Sequence, residues 1–295
     1  MTKTVFAAIV GCPNVGKSSL LNRILGRKVA IVTQKPQTTR TRITGVLTVG
    51  ETQLVFTDTP GYHKPGNKLG EKMIKAVGEG INGVDACLFV VEPSGEIREE
   101  EKQLLKRLKS RKIPTLLAVN KVDTVENKDE LLKRIVQFSS LFDFEAVVPI
   151  SAKTGENVDE LISELSALAY ESVHFFPDDT LTDQPERVIA AEIIREKMLF
   201  LLDKEVPHGI AVSIEKMRER AQSNIMDVDA VIYCEKESHK GIIIGKNGDM
   251  LKRISTRARL DMESFFACKI NLSCWVKVKE DWRNREGLIH SFGLD

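Results

Sequence analysis

Along the chain, short apolar runs alternate with longer stretches whose apolar positions recur every three or four residues. Five runs end at turn-like or polar residues: Val5–Val10, Leu54–Thr57, Cys87–Val91, Thr115–Val119 and Ala146–Ile150. Continuous apolar runs of this length suit strands buried on both faces, as in a parallel sheet. Between them lie stretches with helical periodicity, Lys17–Leu25, Gly70–Glu79, Glu99–Ser110, Asp129–Ser139 and Val158–Tyr170. In Glu99–Ser110, Leu104, Leu105 and Leu108 share one face while Lys102, Lys106 and Lys109 lie elsewhere. Strands alternating with helices predict an α/β domain with a doubly wound, mostly parallel sheet. Residues 43–50 lead into the strand at Leu54 through a short Gly-containing turn, so one antiparallel edge strand is expected.

The alternation breaks at residues 175–185, where two prolines and several acidic or amide residues read as a linker. A smaller α+β domain is expected beyond it. Glu186–Asp203 reads as a helix, Gly209–Glu215 and Val228–Glu235 as strands, Gly245–Gly248 as a loop, Asp249–Glu263 as a helix and Cys268–Lys279 as a strand. The expected division is 1–174, a linker at 175–185, and 186–295 with a C-terminal helix. There is no internal repeat or low-complexity tract.

Composition narrows the class. The chain has 295 residues, 42% apolar and 29% charged, with a formal net charge of +1. Those values exclude collagenous, disulfide-stapled and disordered chains. No apolar run approaches the ~18 residues of a membrane span. The apolar start enters a glycine-rich motif directly, so it reads as a buried strand rather than a signal peptide. Five scattered cysteines with no Cys-x-x-Cys pair argue against a zinc site and fit a reducing cytoplasm. Near-neutrality hides uneven charge. The first 50 residues hold eight basic residues and no acidic one, residues 181–235 carry a net −4, and residues 236–285 carry +6. Both basic regions coincide with glycine-rich loops, which points to bound phosphates.

Gly11-Cys12-Pro13-Asn14-Val15-Gly16-Lys17-Ser18 matches G-x-x-x-x-G-K-[ST], between a predicted strand and a predicted helix. Its glycines let backbone N–H groups curl around an anion, Lys17 brings a point charge to the β- and γ-phosphates, and the Ser18 hydroxyl suits Mg²⁺. Asp58-Thr59-Pro60-Gly61 ends the next strand, with a carboxylate for Mg²⁺ and a glycine N–H for the γ-phosphate. Asn120-Lys121-Val122-Asp123 ends another. The Asp123 carboxylate accepts two parallel hydrogen bonds from guanine N1–H and its 2-amino group, and the Lys121 stem covers the base. Ser151-Ala152-Lys153 follows the last strand, where a backbone N–H meets the guanine oxygen. All four motifs lie at carboxyl ends of strands, where open α/β sheets bind ligands. Together they predict a GTPase using GTP/GDP and Mg²⁺.

The polar, basic stretch 33–42 is the expected switch. A threonine there would complete the Mg²⁺ shell when a γ-phosphate is present, with Thr39 the first choice and Thr38 the second. Tyr62 stands where Ras-like enzymes carry a water-orienting Gln, so slow hydrolysis is expected. Asn14 is a candidate to help hold K⁺ beside the phosphates, where that charge would stand in for an arginine finger. The expected catalytic set is therefore Lys17, Asn14 and Thr39, and the expected metal ligands are Ser18, Thr39 and Asp58. His63 reads as a solvated loop residue rather than a catalytic base.

Gly241–Gly248 is not a second P-loop, because only three residues separate Gly241 from Gly245-Lys246 and no Ser/Thr follows. Gly245-Lys246-Asn247-Gly248 fits instead the G-x-x-G of a KH module, which clamps about four nucleotides of single-stranded RNA. Ile242–Ile244 would line the groove, so Ile243, Ile244, Gly245, Lys246, Asn247, Gly248 and Lys252 are the expected RNA contacts.

In this combination the chain resembles the Era family of bacterial GTPases over nearly its full length. The resemblance rests on Gly11–Ser18, residues 37–40, Asp58–Gly61, Asn120–Asp123, the 176–183 region, Ala211–Ile214, Gly245–Gly248 and Lys277–Asn284. It implies slow GTP hydrolysis and recognition of the 3′ end of 16S rRNA by the KH domain. It also implies a role in 16S rRNA processing and 30S subunit assembly, and a link to cell-cycle regulation. A cytoplasmic monomer with a loose peripheral fraction at the inner membrane is further implied. A different class of function, a non-catalytic RNA-binding scaffold, is separated from it by turnover of GTP.

Overall fold

The computed structural model describes all residues except Gln34, Pro36, Gln222 and Asp295. Gln34 and Pro36 fall in the expected switch, and Gln222 and Asp295 in the expected 186–295 domain, so those positions lie outside the described residues. Two compact units are present. The first comprises Met1–Ala30, Thr39–Gly66 and Gly70–Asp183, and the second Ile31–Thr38, Asn67–Leu69 and Gln184–Asp295.

The elements associated with the first unit run β1 (Lys3–Val10), α1 (Lys17–Leu25), β2 (Ile43–Val49), β3 (Thr52–Asp58), α2 (Lys68–Gly80), β4 (Ala86–Val91), α3 (Glu99–Arg111), β5 (Thr115–Val119), α4 (Lys128–Ser139), β6 (Ala146–Pro149), α5 (Val158–Ala167) and β7 (Tyr170–Glu171). The sheet order is β2-β3-β1-β4-β5-β6, with β7 antiparallel to the start of β1. β3, β1, β4, β5 and β6 are parallel and β2 pairs antiparallel with β3, the expected hairpin.

Every residue of β4 and β5 is buried. The pleat sends alternate side chains to opposite faces. Val5, Ala7 and Ile9 join Leu20, Leu21 and Ile24 of α1 and Leu161 and Leu165 of α5 in one core layer. Ala8 and Val10 join Val77, Leu104, Leu105, Leu108 and Phe138 of α2, α3 and α4 in the other. Burying each such Leu or Phe stabilises by roughly 1.5–3 kcal/mol, so both helical layers are tied to the same sheet. α5 stops at Ala167, short of the expected Tyr170, because Tyr170 and Glu171 pair with Thr4 and Lys3.

Much of the expected linker is laid against this unit. The Phe175 and Phe176 amides donate to Gln53 Oε1 at 2.8 and 3.0 Å, Val46 N donates to Leu181 O at 2.9 Å, and Thr182 Oγ1 donates to Thr44 O at 2.6 Å.

The second unit contains α6 (Glu186–Leu201), β8 (Ala211–Glu219), β9 (Ile225–Cys234), α7 (Glu237–Ile244), α8 (Asp249–Phe266), β10 (Lys269–Val278) and α9 (Glu286–Ser291). Its sheet runs β10-β9-β8, with β10 parallel and β8 antiparallel to β9, and β8 shifts register between Ile214 and Lys216. The inward residues Met226, Val228, Ala230 and Ile232 of β9 pack with Ile189, Ile193, Ile194 and Met198 of α6 and with Ile254, Ala258 and Met262 of α8. α7 was not expected, since a glycine followed by three β-branched isoleucines has low helix propensity. Burial of Ile243 in the core holds it helical. All five cysteines are free thiols. Among the described residues, no helix is long and apolar enough to cross a membrane.

Candidate nucleotide and RNA sites

The phosphate loop connects β1 to α1, where burial fixes both flanking elements. Gly11, Asn14 and Gly16 have positive φ of 154°, 65° and 98°. Gly16 has no room for a larger residue, because a Cβ there would lie 2.2 Å from Asn120 Nδ2. Lys17 is buried, and its Nζ donates to Gly11 O at 3.1 Å and Cys12 O at 2.9 Å. Burial pulls the Lys17 pKa below its ordinary value, opposed chiefly by the Asp58 carboxylate. The Cys12 thiol is pushed up to about 11, chiefly by burial, so it is neutral at physiological pH. Val15 is core, Pro13 is half-buried, and Asn14 is exposed.

Three side chains from separate elements converge beside this loop. Ser18 Oγ donates to Asp58 Oδ2 at 2.5 Å and lies 2.8 Å from Thr39 Oγ1. Ser18 lies in the first turn of α1, Asp58 ends β3, and Thr39 precedes β2. Asp58 is fully buried and its Oδ1 has no hydrogen-bond partner among the described residues. Burial raises its pKa to about 6, against the lowering influence of Lys17, Ser18 and the Thr59 amide. An orphaned carboxylate oxygen beside two hydroxyls is a hard-oxygen set of the kind that suits Mg²⁺. Thr38 is engaged elsewhere, since its Oγ1 donates to Lys35 O at 2.6 Å and lies 2.7 Å from Thr33 Oγ1.

The Asp58–Gly61 stretch closes against the phosphate loop. Thr59 Oγ1 donates to Ile9 O at 2.9 Å, Tyr62 N donates to Gly11 O at 3.1 Å, and a Cβ on Gly61 would lie 2.7 Å from Pro13 Cα. Pro60 is buried between them. Tyr62 is a core residue rather than an exposed switch residue. It packs with Val77 and Leu104, donates its OH to Gln103 at 3.3 Å, and has the Arg107 guanidinium 5.1 Å from its ring centre. His63 Nδ1 lies 2.7 Å from Gly61 O.

The third group gathers at the ends of β5 and β6. Asn120 Nδ2 donates to Val15 O at 2.8 Å and its Oδ1 accepts from Ala152 N at 2.9 Å, tying the phosphate loop to the 151–153 turn. Asp123 Oδ1 accepts from Ser151 Oγ at 2.6 Å, and Lys153 Nζ lies 3.6 Å from Oδ2. The Ser151 hydrogen bond leads in holding the Asp123 carboxyl below its ordinary range. Two residues absent from the sequence reading brace this corner. Arg23 donates to the carbonyls of Ala152 and Lys153, and Glu92 pairs with Lys121 Nζ at 2.5 Å. Glu92 follows the predicted strand 87–91 and so carried a readable signal, whereas nothing in sequence linked Arg23 to a turn 129 residues away.

In the second unit, Gly245 ends α7 and, with Asn247 and Gly248, has positive φ of 74°, 52° and 80°. A Cβ on Gly245 would lie 2.7 Å from Met250 Cβ. Lys246, Asn247 and Lys252 line the accessible side of the loop and the start of α8, as an anion-binding loop requires. Ile243 differs from expectation: α7 turns its side chain into the core, leaving the neighbouring Ile242 and Ile244 at the surface side of the helix.

Residues 6–121 match the model of a family described as 50S ribosome-binding GTPase, and residues 205–283 match the KH domain model. GTPase Era of Clostridioides difficile is 52% identical over 295 residues, covering 100% of this chain and 99% of that protein. GTPase Era of Ruminiclostridium cellulolyticum is 48% identical over 291 residues, 99% and 97% of the two chains. A crystal structure of an Aquifex aeolicus Era variant bound to GDP and AlF4⁻ aligns with TM-score 0.95 at 36% identity, covering 99% of each chain. A second structure, Era with MgGDPNP and nucleotides 1506–1542 of 16S ribosomal RNA, aligns with TM-score 0.95 at 36% identity over 100% of this chain and 99% of that one. Four nucleotide motifs folded onto one sheet edge, a Gly-x-x-Gly loop on a separate three-stranded unit and full-length likeness at about half identity agree, and the chain belongs to the Era family of GTPases.

Proposed function

We propose that the protein is a GTP-dependent switch that binds the 3′ end of 16S rRNA and serves small-subunit assembly and 16S rRNA processing. Residues 1–174 are the nucleotide domain, 175–185 the connection and 186–295 the KH-type RNA-binding domain. The observation that carries the reading is the meeting of Ser18, Thr39 and Asp58, with the second oxygen of Asp58 buried and orphaned. Those three residues would hold Mg²⁺, which neutralises phosphate charge when bound. The residues named for the nucleotide keep their roles: Gly11–Ser18 and Asp58–Gly61 for phosphates, Asn120, Lys121, Asp123 and Ser151–Lys153 for the base. Thr39 is preferred over Thr38, which is already hydrogen-bonded within residues 33–38. Asn14 would support K⁺.

Tyr62 is sequestered in the core and offers no carboxamide to orient water, which supports slow hydrolysis. RNA lies along Ile244–Gly248 and Lys252, while Ile243, buried in the core, is not among the contacts. The matching family description names the large subunit. A solved relative that aligns over the whole chain names 16S rRNA, which is small-subunit RNA, and the proposal follows the latter. A cytoplasmic monomer, a peripheral inner-membrane fraction and a cell-cycle link rest on family resemblance alone.

The test pairs GTP turnover with binding of a labelled oligonucleotide of the 16S 3′ end. Multiple turnovers that stop with EDTA and with Thr39→Ala are expected, together with RNA binding by the full chain. GTP binding and turnover indifferent to both Mg²⁺ and Thr39 would overturn the reading.

A further inference from the structure

We propose that Glu92 is a positioning residue of the base pocket: it tethers the Lys121 ammonium so that the lysine stem lies as a fixed cover for guanine. The inference rests on the nucleotide reading of Asn120–Asp123.

β4 and β5 run side by side with Val91 opposite Val119, so Glu92 and Asn120 are the first residues beyond two neighbouring strands. Asn120 N donates to Val91 O at 2.9 Å, which fixes the two strand ends together. Lys121 then takes a left-handed backbone, φ 69°. That conformation is disfavoured for a residue with a Cβ and is held only where surrounding contacts determine it. Glu92 supplies such a contact, with Oε1 2.5 Å from Lys121 Nζ. Its other oxygen accepts from Arg98 Nη2 at 3.0 Å, so the carboxylate is clamped from two sides. Lys121 and Glu92 side chains are 35% and 28% exposed, which leaves the pair partly desolvated.

The loop bearing Glu92 is anchored from beneath. Arg134 of α4, with a side chain 3% exposed, donates to Glu92 O at 3.3 Å and to Gly95 O at 3.1 Å. Its Nη2 lies 3.2 Å from both oxygens of Glu101, whose side chain is 2% exposed. Glu101 Oε2 also accepts from Arg98 N at 2.8 Å. A buried ion pair thus fixes residues 92–101, and that segment holds the head of Lys121. A pair whose only role was surface stability would need no buried support and no strained lysine. A cover for a flat base needs both, because an untethered lysine loses most of its rotamer freedom on lying flat.

The test uses the full-length protein and guanine, inosine and xanthosine triphosphates as probes, with dissociation constants and dissociation rates measured for the wild type, Glu92→Gln, Lys121→Ala and the double variant. Glu92→Gln, which is nearly isosteric, should weaken GTP and ITP alike by ~3–10-fold, the effect of a half-desolvated ion pair, mostly through faster dissociation. The ratio of GTP to XTP affinity should stay constant, and Glu92→Gln should add nothing once Lys121 is Ala. A GTP affinity within error of wild type, or the full loss persisting in the Lys121→Ala background, would overturn the proposal. Asp123→Asn serves as the control for the underlying reading. If it shifts preference to XTP while Glu92→Gln is silent, only the tether fails. If it shifts nothing, the base pocket itself is misassigned and the tether falls with it.

Discussion

Replacing Asp123 by asparagine should convert a guanine site into a xanthine site, and the structure specifies how. Ser151 Oγ donates to Oδ1 at 2.6 Å, and that hydrogen bond leads in depressing the Asp123 pKa. That hydrogen bond therefore favours the ionised carboxylate. In the Asp123→Asn protein the new amide oxygen stays with Ser151, because the hydroxyl proton needs an acceptor. The new NH₂ group then takes the place of Oδ2, near the Lys153 ammonium, which stands 3.6 Å from that oxygen. Guanine meets a donor where it needs an acceptor. Losing the charge-assisted pair costs roughly 2–3 kcal/mol, or ~30–150-fold in GTP affinity. Xanthine presents a carbonyl in place of the 2-amino group and gains the bond that guanine loses. Competition binding at pH 7.5 with GTP, GDP and XTP measures both sides of the exchange. Because the folded pKa is depressed, Asp123 contributes above its unfolded value and loses that contribution only as pH falls through the lower folded one. The wild-type preference should therefore be flat from pH 5 to 8. An Asp123→Asn protein that keeps wild-type GTP affinity and gains nothing for XTP would refute the assignment.

Three further outcomes are expected. Replacing K⁺ by Na⁺ at constant ionic strength should slow GTP turnover in the wild type and matter less in Asn14→Ala, and equal wild-type rates in both salts would remove the K⁺ reading. The double change Lys246→Asp with Asn247→Asp should abolish binding of a 16S 3′-end oligonucleotide while leaving GTP affinity unchanged, since both residues stand in the accessible Gly245–Gly248 loop. For the nucleotide-free protein, folded Asp58 keeps its proton up to pH about 6 whereas the unfolded carboxyl releases it near 3.8. Folding then takes up a proton in that window, so Asp58 makes stability fall as pH rises through it, and Asp58→Asn should flatten that part of a melting-temperature profile in metal-free buffer.

The α/β pattern was readable because its strands are buried on both faces, so continuous apolar runs announced them without ambiguity. β4 and β5 are buried at every position. The nucleotide motifs were readable for a related reason: each sits at a strand end, and the strand fixed its place. Two kinds of feature stayed hidden. α7 carries weak local preference and is made helical by Ile243 entering a core that only tertiary structure assembles. Tyr62 followed a switch motif and read as a substituted catalytic position, yet its ring belongs to the layer under α2 and α3. The brace Arg23 was invisible because its partners are backbone carbonyls, which leave no mark in sequence.

The two charges at the centre of the phosphate site are each held at a disadvantage. Burial lowers the pKa of Lys17 and raises that of Asp58, so the fold disfavours the ionised form of both. Their mutual attraction offsets only part of that cost. Lys17 directs its hydrogen bonds to the Gly11 and Cys12 carbonyls, and Asp58 satisfies one oxygen through Ser18 while leaving the other unpaired. On the proposed reading, these are the defects that a phosphate oxyanion and a divalent cation would repair. An oxyanion would give Lys17 a full counter-charge in place of two neutral dipoles, and Asp58 Oδ1 with the hydroxyls of Ser18 and Thr39 would hold the cation. A site built in this way would bind such ligands partly by relieving its own desolvation. Thr39 connects that relief to the chain beyond it, because its hydroxyl can serve the cation only by leaving its contact with Ser18 or sharing it. The 2.8 Å contact of Thr39 with Ser18 is therefore the bond that the proposed metal site would have to remake.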